Sequence, residues 1–222
     1  MMESARRSTW STAAELALVV LIYLADLEGL VPLSKTIPFF ALGWISLRMR
    51  RLRWRDVGLA RPPSWPRAIL IGTMAGIALE LFSTYVTVPA ISGWAGSPPD
   101  LHDMRPMVGN LSIVLAMTLL NWTLAAFGEE MVYRGYLMNL VAGIGRGTRA
   151  AWAISLIVVS ASFGFGHDYQ GLTGMIQESL AGLALGLIYL ACGRNLTIPI
   201  ITHGVSNQLA FLLIYFDRYP GV

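Results

Sequence analysis

Apolar runs of about twenty residues, set apart by short arginine-bearing breaks, leave this chain few ways to fold. A helix rises about 1.5 Å per residue and needs about 20 apolar residues to cross a bilayer core. Runs at 13–31, 68–91, 108–141, 150–167, 172–192 and 196–216 meet or approach that length, and 36–47 is short unless the turn before it lies within the membrane. The alternating pattern of barrel strands is absent. Composition agrees, since 55% of the 222 residues are hydrophobic and 13% are charged, where a soluble domain carries about 25%. The expectation is an all-α, polytopic transmembrane helical bundle with seven to eight membrane segments. Seven follow if 108–141 is one long helix, and eight if Gly128 breaks it. Residues 1–222 read as a single integral membrane domain, with three N-terminal spans in 1–107 and, in 108–216, the helices that carry the candidate site.

Charge sets the expected topology. The net charge of +3 is not a nucleic-acid signature, because the arginines cluster beside apolar segments. Arg6 and Arg7, the run from Arg48 to Arg67, Arg146 with Arg149, and Arg194 all fall on one side in the seven-crossing count. Short loops dense in arginine mark the cytoplasmic face, so the N-terminus is expected there. A lipid-headgroup site in the 48–67 loop ranks behind plain topology. No small-x-small cleavage site follows the first apolar run, so it reads as a retained helix rather than a signal peptide. The single cysteine, Cys192, excludes an intramolecular disulfide. Gly72-x-x-x-Gly76 and Gly182-x-x-x-Gly186 are helix-packing patterns that suit internal contacts or a dimer alike, and leave the oligomeric state open.

Ionisable groups inside apolar helices are costly, and mark function unless paired. The segment Phe127-Gly128-Glu129-Glu130-Met131-Val132-Tyr133-Arg134 carries two adjacent carboxylates and an arginine. On a helix Glu130 and Arg134 are four apart and face each other, acid first, which favours an ion pair. Glu129 points about 100° away and is left without a local partner. His167 follows in Phe163-Gly164-Phe165-Gly166-His167, and His203 and Asn207 share one face of the last run. Glu129 and His167 flank the 146–148 turn nearly symmetrically, so an antiparallel hairpin sets them level, about 25–30 Å from that turn. His203 and Asn207 rise only about 13–20 Å from Arg194 on straight helices, so tilt or a late helix start must supply the rest. Glu80, in the middle of 68–91, reads as a structural carboxylate paired within the bundle ahead of a member of the site.

A glutamate and two histidines can activate water. The carboxylate takes the water proton, while imidazole or the Asn amide polarises a carbonyl or holds the oxyanion. The same groups, Glu129, His167 and His203, can alternatively hold zinc, which needs three protein ligands and an open position. Nothing marks Ser206 as a nucleophile, and the spacing is not that of His-Glu-x-x-His zinc peptidases. The rivals are a proton-coupled transporter, against which the halves show no inverted repeat, and a non-catalytic peptide-binding or immunity membrane protein.

With Glu129-Glu130-x-x-x-Arg134, Phe163-x-x-x-His167 and His203-x-x-x-Asn207 in this order, the chain resembles the CAAX protease and bacteriocin-processing family of intramembrane peptidases, which includes the type II CAAX prenyl endopeptidases. The resemblance spans roughly 108–213. It implies a helical-bundle protease with Glu129 as general base and His167 as its partner. His203 and Asn207 would stabilise the oxyanion or help hold the water or metal, and Glu130 and Arg134 would brace them. It implies a peptide or lipidated-protein substrate, prenylated or not, in a membrane setting. Both zinc-dependent and metal-free accounts exist for the family.

Overall fold

The computed structural model describes residues 9–222, with side chains from Thr12 onward. Arg6 and Arg7 lie outside the described residues. Among those described, the regular structure is helical, and it forms seven rods: α1 (Thr9–Leu27), α2 (Thr36–Met49), α3 (Trp65–Ala95), α4 (Leu111–Ile144), α5 (Arg149–Phe165), α6 (Gly171–Ala191) and α7 (Thr197–Tyr215). Their positions follow the seven apolar runs. Only α3, α4, α7 and the α6 segment extended back to Asp168 are long and apolar enough to cross a bilayer, while α2 and α5 are shorter. Length and composition therefore support four crossings of the seven to eight expected.

Gly128 does not break α4. The helix runs unbroken from Leu111 to Ile144, but its middle, Asn121–Leu137, is wound as a π-helix. Such i→i+5 winding is rare and concentrates at functional sites. Two side-chain caps start helices where the sequence offers them. Asn110 Oδ1 accepts from Ile113 N at 3.3 Å at the head of α4, and Thr148 Oγ1 accepts from Ala151 N at 3.2 Å at the head of α5.

Both small-residue patterns are spent inside the molecule. A Cβ on Gly76 would lie 2.6 Å from the Thr202 carbonyl oxygen, and one on Gly72 2.7 Å from the Ile201 side chain. These glycines bring α3 against α7. Gly182 faces Phe163 and Ser160, and Gly186 faces Leu156, so α6 lies against α5. Around these contacts an aromatic core forms from Tyr23, Phe39, Tyr133 and Phe163, whose rings meet edge to face at 4.9–6.4 Å.

The bundle has two chemically distinct ends. At one, the α2–α3 and α6–α7 connections dock on each other. Leu196 N donates to Gly58 O at 2.9 Å, and Asn195 Nδ2 donates to Ala60 O at 2.9 Å. Arg194 sits over Trp152 near the head of α5 at 5.0 Å, and Arg50 pairs with Glu15 of α1. At the other, Lys35 pairs with Asp26 at 2.6 Å, and Thr173 Oγ1 donates to Ser97 O at 2.7 Å. The C-terminal tail closes on the α3–α4 loop there, through Leu101 N to Gly221 O at 3.0 Å.

Candidate active site

The site is built outward from α4. Its π-wound segment buries Glu130 and Arg134, which are 0% and 1% exposed. Arg134 Nη1 donates to Glu130 Oε1 at 2.7 Å and its Nη2 to Gly182 O at 2.8 Å. The guanidinium also lies over the Phe163 ring at 4.9 Å, so this cation meets α4, α5 and α6 at once. A buried ion pair needs such supplementary partners to offset desolvation.

His203 of α7 reaches the same carboxylate, with Nδ1 2.9 Å from Glu130 Oε1. An oxygen already held by Arg134 acts as acceptor, so Nδ1 carries the hydrogen and Nε2 points onward. Nε2 lies 3.9 Å from Glu129 Oε2, a gap of the kind a water fills. His167 Nδ1 is 2.8 Å from Phe163 O. A carbonyl can only accept, so this ring too is fixed with its free nitrogen, Nε2, as an acceptor.

Glu129, His167, His203 and Asn207 all line one cavity of about 290 Å³ between the helices. A second hollow of about 450 Å³ shares Glu129 and His167 with the first and is walled by Asp26, Lys35 and Asp168. The expected set is thus brought together, with Glu130 and Arg134 behind the cavity wall. The height mismatch foreseen for His203 is resolved by the level of the α6–α7 turn, since α7 begins at Thr197, where the sequence places it. A Cβ on Gly135 would lie 3.2 Å from Leu196 Cδ1. The head of α7 is therefore level with the last third of α4, and the α4–α5 hairpin projects beyond it.

Further polar groups line the same cavity. Glu80 is 5% exposed and accepts from Thr84 Oγ1 at 3.1 Å and Ser206 Oγ at 2.8 Å. It is both paired within the bundle and part of the cavity wall. Its bond also occupies the Ser206 hydroxyl. Tyr219 stands beside it near the C-terminus, where burial, reinforced by the charges of Glu80 and Glu178, holds the phenol well above its usual range. Asn121 donates through Nδ2 to Gly204 O at 2.9 Å, which ties α4 to α7. Glu178, on α6, was not anticipated. It is a carboxylate inside an apolar run, and the rule that singled out Glu80 applies to it equally.

The donor types of Glu129, His167 and His203 suit zinc. As placed, however, no group of three His, Cys, Asp or Glu among the described residues converges closely enough to hold an ion.

Residues 111–209 match the family model of the Rce1-like type II CAAX prenyl endopeptidases. The matched segment contains all three motifs, and the resemblance to the CAAX protease family holds over it. No curated protein and no solved structure matches the chain. With its apolar helices, the chain is an integral membrane protein.

Proposed function

We propose that the chain is an intramembrane endopeptidase in which Glu129 activates water, with α4 to α7 as its catalytic helices. The observation that carries this reading is the meeting of Glu129 with His203 Nε2 at 3.9 Å, on a cavity wall shared with His167 and Asn207. A water there donates one hydrogen to Glu129 and the other to His167 Nε2, which leaves its lone pair free to attack a peptide carbonyl. Glu129 takes the first proton as the carbon–oxygen bond forms. The Asn207 amide donates to the oxyanion, and so does His203 Nε2 when that ring is protonated. Collapse of the tetrahedral intermediate breaks the carbon–nitrogen bond, and Glu129 returns the proton to the leaving amine. Glu130 and Arg134 do not touch the substrate. They hold His203 in its orientation.

The family likeness favours peptides associated with the membrane, with a prenylated C-terminus as one substrate form. The test is a cleavage assay on a prenylated peptide and a panel of unmodified peptides. It compares the wild-type chain with Glu129→Gln, each with and without a chelator and zinc add-back. Cleavage by the wild type that is lost in Glu129→Gln supports the reading. Equal cleavage by both sinks it. Loss with chelator and recovery with zinc assigns Glu129, His167 and His203 to a metal and rewrites the first step.

A further inference from the structure

The two hollows that reach Glu129 open at the same end of the bundle. One is walled by Asp26 and Leu27 at the end of α1, and by Gly29, Lys35 and Asp168 from the α1–α2 and α5–α6 connections. The other runs past Pro99, Leu101, Met104 and Tyr219 from the α3–α4 loop and the tail. Neither is lined by any residue of the α2–α3, α4–α5 or α6–α7 connections. Toward that opposite end the way is filled by Phe39, Tyr133, Phe163 and the Glu130–Arg134 pair, each no more than 2% exposed.

The charges are divided between the same two ends. The arginines from Arg48 to Arg67, with Arg146, Arg149 and Arg194, lie in the three connections away from the openings or in the helix ends beside them. The end with the openings has Lys35, Arg105 and Arg218 as its basic residues, and Lys35 is paired with Asp26 at 2.6 Å. Acidic groups are plentiful there, among them Asp26, Glu28, Asp100, Asp103, Asp168 and Asp217. Short loops rich in arginine are retained on the cytoplasmic side of a membrane, whereas acidic residues have little say. The membrane potential acts in the same sense, at about 2.3 kcal/mol per charge per 100 mV.

From this juxtaposition we infer that the catalytic cavity faces away from the cytoplasm, so that its substrates are peptide segments already translocated or exposed on the non-cytoplasmic side. The inference rests on the peptidase reading for the word substrate, and on charge placement alone for the orientation. Family likeness bears on the motifs and leaves the direction of the bundle to the loops. A lipidated C-terminus finished in the cytoplasm would meet the arginine-rich end, whose own hollow of about 420 Å³, lined by Arg50, Arg55 and Arg194, is not lined by Glu129.

Orientation is measured first, without reference to proteolysis. In a Cys192→Ser background, Leu30→Cys marks the open end and Ala60→Cys the arginine end. A membrane-impermeant maleimide is added to intact cells and to permeabilised ones. The expected result is labelling of Leu30→Cys in intact cells and of Ala60→Cys only after permeabilisation. The reverse pattern, or equal labelling of both, overturns the inference. Right-side-out membrane vesicles then receive impermeant unmodified peptides outside, with Glu129→Gln vesicles as control. Cleavage of outside peptide, at least tenfold above the control, supports the substrate assignment. Cleavage only after the vesicles are opened overturns it. Labelling as expected but no cleavage before or after opening overturns the peptidase reading and the substrate assignment, and leaves the orientation standing.

Discussion

His203 Nδ1 and Arg134 Nη1 converge on a single oxygen, Glu130 Oε1, at 2.9 and 2.7 Å. Three helices contribute to the arrangement once the Arg134 bond to Gly182 O is included. This oxygen separates the roles of two neighbouring glutamates. Glu130 is committed to holding a cation and an imidazole, whereas Glu129 has no hydrogen bond among the described residues and meets His203 Nε2 at 3.9 Å.

Glu129→Gln keeps the shape of the side chain and removes the base. The expected outcome is a fall in kcat of about 10²–10⁴-fold, the range supplied by a positioned general base, with little change in thermal midpoint. Kinetics and a thermal melt of the same detergent preparation check both halves. A midpoint that collapses with activity would reassign Glu129 to structure.

Glu130→Ala and Arg134→Ala should each destabilise the fold, because one buried charge is left without its partner. Breaking a buried pair costs about 3–5 kcal/mol. Activity should fall as well, since His203 loses its anchor. The double variant should be less damaging than the two single costs added together. Chemical-denaturation midpoints for the full set of four proteins measure that coupling.

Asn121→Ala removes the bond from Nδ2 to Gly204 O. The loss should cost about 1 kcal/mol and lower kcat/KM about tenfold, since α7 carries His203 and Asn207 on either side of Gly204. Asn121→Asp, which sets a buried carboxylate against the Gly204 carbonyl, should be at least as damaging as the alanine variant. Wild-type kcat/KM in both proteins would remove this tether from the functional account.

Gly164→Ala tests the α5–α6 contact below His167. A Cβ at this position would collide with Ser179 and the Met175 carbonyl of α6. The helices can admit it only by moving apart, so a loss of about 1–3 kcal/mol is expected, with weakened cleavage as His167 shifts. A variant as stable and active as the wild type would mean that α5 and α6 are not held this closely.

Much of the site was legible because intramembrane charge is scarce. Glu130 and Arg134 declare their pairing by spacing, and the two glutamates separate by angle even though the segment is π-wound rather than α-helical. The winding itself left no local mark, since no proline or insertion signals it between Asn121 and Leu137. The segment packs chiefly against α2 and α7, neighbours far away in sequence. The depth of His203 was likewise hidden, because the head of α7 is fixed by the bond of Leu196 to Gly58 O, a contact far apart in sequence. Glu178 was missed although its surroundings resemble those of Glu80. Apolar runs located all seven rods, but run length overstated how many are long enough to cross a bilayer.

The packed aromatic floor beneath Glu129 makes the cavity a cul-de-sac. A conduit for ions or solutes needs a way out at the far end, and here Phe39, Tyr133 and Phe163 occupy it. On the peptidase reading, the substrate and both fragments must pass through the two hollows that meet at Glu129 and His167, because the far end offers no exit past these rings.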